Sequence, residues 1–354
     1  MSSSSNGDLA HLVGVVEPIK FPENTRFMFP SKVGGAPAWL VPQSLPQVDC
    51  DSCATPMTFL LQLYAPDQDC EQAFHRSLMV FVCTKCRCFL KCFRSQLPLI
   101  NRFYGTELAS PADVPLEDEI SQLCCETCGC ATHRSNFCRA LPEYGIAIDE
   151  LDEMELDDVE EEEESESESD DDSDMMASMM PNSDMAIDRS EMDLFKEFTE
   201  TQIEKDSSFR LFKRFVQEAP SDHVIYYSIG GSPMWITEEN QMPGPPPACQ
   251  NCGTARHFEF QIQPQLIYHL MKKLPGLSMN AAPFEWGVVA VYTCTQNCTG
   301  SSPYQEEFLY NQLEPSEWLE FNSRKKVDFS KESKTKDKAP MVAEADDNDE
   351  GEWM

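Results

Sequence analysis

Residues 50–66 read CDSCATPMTFLLQLYAP, and residues 249–264 read CQNCGTARHFEFQIQP. In each, two cysteines separated by two residues stand before an apolar run of strand length, and both features recur at one offset of 199 residues. A turn between such cysteines directs both sulfurs to the same side, and two pairs from distant segments complete a tetrahedral metal site. The runs that follow, like SLMVFVC at 77–83, are short and bounded by Pro, Asp and Gln, which reads as strand. In FEFQIQ (258–263) the alternation places Phe258, Phe260 and Ile262 on one face and Glu259, Gln261 and Gln263 on the other.

Other features fall into step around these two stretches. GGAPAWL (34–40) answers GGSPMWI (230–236), MVFVCTKC (79–86) answers VAVYTCTQNC (289–298), and RSQL (94–97) answers YNQL (310–313), in the same order. Matched features in one order imply duplication of a β-rich unit of about 90 residues. The heptapeptide is read as structural: glycines permit positive φ in a tight connection, proline fixes the next φ, and tryptophan anchors the following strand.

The two halves then supply two ligand sets, Cys50, Cys53, Cys83 and Cys86, and Cys249, Cys252, Cys294 and Cys298. Cys88 is an alternative to Cys86 in the crowded CTKCRC, and the last pair has a three-residue gap. Four thiolates close the coordination sphere and leave no position for activating water, so two structural Zn2+ ions are expected, one per half. Replacing Cys50 or Cys249 is then expected to unfold its own half first. A third cluster, CCETCGCATHRSNFC (124–138), offers Cys125, Cys128, His133 and Cys138 for a further zinc. Cys70 and Cys92 read as ordinary thiols. No Walker loop, dinucleotide fingerprint, HExxH pair or hydrolase elbow is present, so the sequence supports no catalytic constellation.

The formal net charge of −34 is concentrated, with eighteen Asp and Glu and no Lys or Arg between residues 149 and 174. Such a run cannot offset its ordering entropy by burial and is expected to be disordered. The balance disfavours direct nucleic-acid binding, which needs cations to displace counterions, and suits a basic partner. With neither a signal peptide nor an apolar run long enough to span a bilayer, the chain is expected to be intracellular and free of membrane, and its sixteen cysteines to be ligands rather than disulfides.

The expected organisation is a disordered N-terminus (1–10), a β-rich zinc-binding half (11–108), a linker (109–188) holding the Cys-rich island and the acidic run, a second half (189–320) and a disordered tail (321–354). Within 189–220, Met192, Phe195 and Phe198, then Phe209, Phe212 and Phe215, recur at helical spacing. Met192, Leu194, Phe195 and Phe198 read foremost as a face docked on the second sheet, and alternatively as a signal read by an exportin.

FPSKVGGAPAWL, CDSCATPMTFLLQLYAP, FHRSLMVFVCTKC and FRSQLP resemble the N-terminal half of the programmed cell death 2 and programmed cell death 2-like proteins. YYSIGGSPMWI, CQNCG, FEFQIQPQL, EWGVVAVYTC and YQEEF resemble their C-terminal domain. The resemblance implies a fold of two β-rich, zinc-stabilised halves with a few helices (TYPP-like, mainly β within the α+β class). It further implies a monomeric, non-enzymatic chaperone for ribosomal protein S2 in assembly and export of pre-40S particles, shuttling between cytoplasm and nucleus. The programmed cell death 2 branch carries a MYND finger between its halves; the shorter cluster at 124–138 favours the like-branch. A zinc-dependent or thiol redox enzyme using the 124–138 cysteines is the alternative.

Overall fold

Strands form wherever the short apolar runs lie, and pairings between distant runs decide the architecture. The structure, a computed structural model, describes residues 11–115, 119–131, 138–151, 206–274 and 283–313. Its strands are β1 (Leu12–Glu17), β2 (Lys32–Val33), β3 (Thr58–Tyr64), β4 (His75–Val82), β5 (Leu90–Leu97) and β6 (Tyr144–Glu150), then β7 (His223–Tyr227), β8 (Arg256–Ile262), β9 (Val288–Cys294) and β10 (Tyr304–Gln312). Among the described residues two α-helices accompany them, α1 (Ser207–Glu218) and α2 (Gln265–Lys272).

These strands make one closed antiparallel barrel in the order β1-β6-β2-β3-β4-β5-β10-β9-β8-β7, with β7 returning to β1. The meander β2 to β5 meets the meander β7 to β10 at the β5–β10 pair, where Tyr304 faces Ser95. On the opposite side β1 pairs with β7 of the second half, Leu12 facing Tyr227, and with β6, Leu12 facing Glu150. The halves therefore share one sheet instead of forming two. Strand β6 lies inside the 109–188 segment expected to be linker and takes in Asp149 and Glu150, the first acids of the charged run. Gly145 and Ile146 are buried, whereas Ile148, Asp149 and Glu150 are exposed, so the strand packs at its start and the acids end it without preventing it. The stripe from Met192 to Phe198, the run from 152 to 174 and the tail from 314 lie outside the described residues.

The two meanders share detail. Pairing of β3 with β4 shifts register between Phe59 and Leu61, and pairing of β8 with β9 shifts between Phe258 and Phe260, which are matched positions. In both halves a strand glutamine holds the Gly-Gly-x-Pro connection: Gln62 Oε1 accepts from the Ala38 amide at 2.8 Å, and Gln261 Oε1 from the Met234 amide at 2.7 Å. The two faces predicted for FEFQIQ are both buried, and Glu259, Gln261 and Gln263 are as inaccessible as Phe260 and Ile262.

One core cluster joins Leu61, Leu78, Val80, Ile146, Ile225, Phe260, Ile262, Val289 and Val291. Side chains from strands on opposite sides of a barrel touch only through its interior, so this cluster fills the lumen. A second cluster, Trp39, Phe59, Met79, Phe81, Phe93 and Tyr304, uses alternate residues of β3 to β5 and packs outside it, together with Cys50, Cys83, Cys128 and Cys130. Helix α1 starts where Asp206 accepts the Phe209 amide at 2.9 Å, buries Phe209, Phe212 and Phe215, and sets Phe215 edge-on to Tyr226 of β7.

The repeated heptapeptide has different surroundings in its two copies. Gly34 has φ +61°, and a Cβ there would lie 2.1 Å from the Pro142 carbonyl oxygen. Gly230 has φ +76° with nothing within 4 Å of such a Cβ. Left-handed backbone costs an L-residue about 1–2 kcal/mol. Gly230→Ala is therefore expected to lose about that much, and Gly34→Ala distinctly more because backbone must move as well, a difference read directly from urea unfolding midpoints. Trp39 is buried and donates from Nε1 to the Gly129 carbonyl at 2.9 Å, whereas Trp235 is half-buried edge-on to Tyr310.

Candidate metal centres

Each expected ligand set converges. The sulfurs of Cys50, Cys53, Cys83 and Cys86 lie within 4.8 Å of one another, as do those of Cys249, Cys252, Cys294 and Cys298. The sulfurs lie 3.9 Å apart in Cys50–Cys86, 3.6 Å in Cys53–Cys83, 3.6 Å in Cys249–Cys298 and 3.5 Å in Cys252–Cys294. A tetrahedral zinc with bonds of about 2.3 Å separates its sulfurs by about 3.8 Å, so both sets fit such an ion without rearrangement. Cys86 rather than Cys88 completes the first set, and the Cys88 thiol instead faces the Cys86 carbonyl at 3.3 Å.

The convergence is local in origin. After each first cysteine the chain makes one turn: Ala54 N–H donates to Cys50 O, Arg87 N–H to Cys83 O and Gly253 N–H to Cys249 O, all at 2.8 Å. Ala54, Arg87 and Gly253 all have positive φ, which bends the backbone around the position between the sulfurs. In the longer Cys294–Cys298 gap Asn297 takes this role at φ +43° and donates its N–H to Cys294 O at 3.1 Å. In both halves one pair precedes the first strand of a hairpin and the other occupies the turn after the second strand, so β3–β4 and β8–β9 bring distant pairs together.

Two threonines belong to the sites although the cysteine spacing alone does not name them. Thr55 Oγ1 lies 3.2 Å from Cys53 Sγ, and Thr254 Oγ1 lies 3.3 Å from Cys252 Sγ. These hydroxyls, aided by their backbone amides, hold the Cys53 and Cys252 thiols at about 6. One ligand per site is thus poised as thiolate for a cation. The signal was in the sequence as a repeated C-x2-C-x-T.

At 124–138 the structure brings Cys125, Cys128 and Cys138 within 4.8 Å of one another, while His133 lies outside the described residues. Burial pushes the Cys138 thiol up to about 11. Cys92, expected to be an ordinary thiol, is fully buried in the lumen, and that burial pushes it up.

The lumen also holds charges. Arg76 of β4 donates to both oxygens of Glu259 of β8, at 2.6 and 2.7 Å, and Tyr227 and Thr293 donate to the same carboxylate. Glu307 of β10 accepts from Arg94 at 2.7 Å and from Arg256 at 3.0 Å. Arg94 also reaches the Cys298 carbonyl at 3.0 Å, so a first-half strand supports a ligand loop of the second site.

These groups give stability a pH dependence. Burial opposes ionisation of Glu259, but Arg76 and its other donors hold the carboxyl below the ordinary 4.5. Burial also lowers His75, His223, His257 and His269 below 6.5. Below 6.5 the unfolded chain binds more protons at these imidazoles, so stability falls as pH drops from there. A second loss follows below 4.5, continuing as pH falls through the depressed folded value of Glu259. Melting temperatures with zinc in excess should be flat above pH 7.5, decline below 6.5 and steepen below 4.5.

A closed antiparallel barrel whose two meanders carry four-cysteine clusters at equivalent turns defines a class of thiolate-bearing β-proteins able to hold metal. Two domain models of programmed cell death protein 2 match the chain, the N-terminal domain over residues 11–111 and the C-terminal putative domain over residues 206–313. Programmed cell death protein 2 of Bos taurus is 32% identical over 324 residues, covering 80% of this chain and 91% of that protein. The protein of that name from Mus musculus is 32% identical over 327 residues, covering 80% and 91%. Programmed cell death protein 2-like of Homo sapiens is 24% identical over 340 residues, covering 82% and 91%. No solved structure matches. The chain belongs to the programmed cell death protein 2 family. The preference for the like-branch, drawn from the short central cluster, finds no support in these identities, which are higher to programmed cell death protein 2 itself.

Proposed function

We propose that this chain is a non-enzymatic chaperone that holds a basic small-subunit ribosomal protein, ribosomal protein S2, during 40S assembly. The observation that carries the reading is the charge pattern: a net −34 with eighteen acids in residues 149–174, joined directly to a barrel strand. Basic ribosomal extensions stay unfolded until their charge is neutralised, and a tethered acidic run neutralises them. Family membership supports the same reading. The two cysteine sets hold Zn2+ as structural ions, because four thiolates leave no open coordination position, and the two meanders descend from one duplicated unit. The chain acts as a monomer, without nucleic acid or membrane as a partner, on pre-40S particles in nucleus and cytoplasm, with Met192 to Phe198 foremost a docking face and alternatively a signal for an exportin.

Strand addition is disfavoured as a grip on a client, since each described strand already has two neighbours in the closed barrel. The client is instead met at the cleft of about 340 Å³ beside the β5–β10 seam, lined by Val41, Gln96, Arg102, Phe103 and Gln305. Co-expression tests this. Ribosomal protein S2 is expected to be soluble with the intact chain, to lose most solubility with a chain lacking residues 152–174, and to precipitate alone. Deletion starts at 152 so that β6 survives. Equal solubility in all three sinks the reading. The redox alternative predicts rapid alkylation of the 124–138 thiols in the zinc-loaded protein, whereas ligand thiolates are protected.

A further inference from the structure

We infer that the basic face of helix α1 is a docking surface for this chain's own acidic run, residues 152–174, which a basic partner must displace. The displacement rests on the chaperone reading, whereas the docking itself does not.

Helix α1 carries two opposed faces. Phe209, Phe212 and Phe215 are buried, and Arg210, Lys213 and Arg214, spaced i, i+3 and i+4, share the opposite side. The acid of this helix, Glu218, lies 4.0 Å from Arg214 and balances one of the three cations. On a chain of net charge −34 a face that keeps a positive balance attracts the chain's own carboxylates.

The path of the backbone delivers the acidic run to this face. Leu151, the last described residue before the run, donates its N–H to the His11 carbonyl at 2.9 Å. The His11 ring stacks on Tyr226 at 5.9 Å, with Nδ1 2.8 Å from the tyrosine hydroxyl, and Tyr226 meets Phe215 of α1 edge-on at 5.4 Å. The chain returns at Asp206, whose carboxylate caps α1 at the Phe209 amide. Both ends of the segment 152–205 are therefore anchored at α1. Residues 152–174 hold sixteen acids and no Lys or Arg, whereas residues 175–205 carry Arg189, Lys196 and Lys205 beside seven acids, so the run is the better match in charge. A chain of its length reaches about 25 Å as a coil, more than the about 18 Å of the twelve-residue helix. Tethering supplies it at an effective concentration on the order of millimolar, so pairs that are individually weak at a surface suffice together. A partner with Lys and Arg of its own then competes with α1 for the same carboxylates.

Carbodiimide cross-linking of the intact chain, read by mass spectrometry, tests the docking without any client. Lys213 should join acids of residues 152–174 at a yield at least fivefold above that of exposed Lys20 and Lys85, and the excess should vanish in 0.5 M salt. Arg210→Gln with Arg214→Gln should lower the Lys213 yield at least fivefold, and Arg210→Lys with Arg214→Lys should restore it at unchanged circular dichroism. Equal yields from the three lysines, Lys213 joined only to acids of residues 184–204, or no loss in the glutamine variant overturns the docking. Deca-arginine stands for the basic partner and should abolish the Lys213 excess. An excess that survives it overturns the displacement and leaves the docking in place.

Discussion

Cys50→Ser and Cys249→Ser should each lower the stability of the entire barrel, with both halves lost in one transition. Structural zinc contributes about 10–16 kcal/mol in small peptides, comparable with the whole net stability of a domain at about 5–15 kcal/mol. Loss of either site therefore leaves little margin. From the sequence each half was expected to unfold alone, but β5 pairs with β10 and β1 with β7, so neither meander keeps a complete set of neighbours when the other opens. Arg94 adds a direct link by holding the Cys298 carbonyl. Circular dichroism and amide exchange on the same samples check this: the two variants should show coincident loss in β3–β4 and β8–β9. A Cys249→Ser protein that retains full protection across Thr58–Val82 would restore independent halves.

What was legible in the sequence was local. A Cys-x2-Cys pair declares its own turn, and Cys83 and Cys294 stand at the ends of apolar strands, so both ligand sets could be named before any pairing was known. Closure was not legible, because the β1–β7 contact joins Val13 to Tyr226 and no local pattern encodes it. Strand β6 was hidden because YGIAIDE runs into the acidic segment, whose composition outweighs two isoleucines. Arg76, Glu259, Arg94 and Glu307 were missed as functional residues for a related reason. A charge inside a strand reads as solvent-facing until its partner across the lumen is known, and Arg76 and Glu259 are 183 residues apart.

That cross-lumen pair carries the other large expected effect. Strands β4 and β8 stand four places apart in the barrel order, so the Arg76–Glu259 contact ties the first meander to the second through the interior. Both side chains are fully buried, and Tyr227 and Thr293 satisfy the remaining carboxylate lone pairs. Breaking a buried pair by removing one partner costs about 3–5 kcal/mol, because the other charge is left without water or counterion. Glu259→Gln should therefore destabilise by about that amount at pH 7, and Arg76→Met by a similar amount. Replacing both with apolar groups removes the orphaned charge, so Arg76→Met with Glu259→Leu should be more stable than either single variant. Urea titrations of the wild type, two singles and the double give the coupling energy directly. If the pair merely filled space, the singles would cost little and the costs would add. A strong favourable coupling would make the ion pair a specific fastener between the halves, and then Glu259→Gln should also loosen the second cysteine set. The reason is proximity: Thr293, which donates to Glu259, is the residue before Cys294. Faster zinc loss from Cys249, Cys252, Cys294 and Cys298 than from Cys50, Cys53, Cys83 and Cys86 in that variant is the expected result, read by chelator competition on the intact chain. Equal loss from both sets would confine the pair to stability alone.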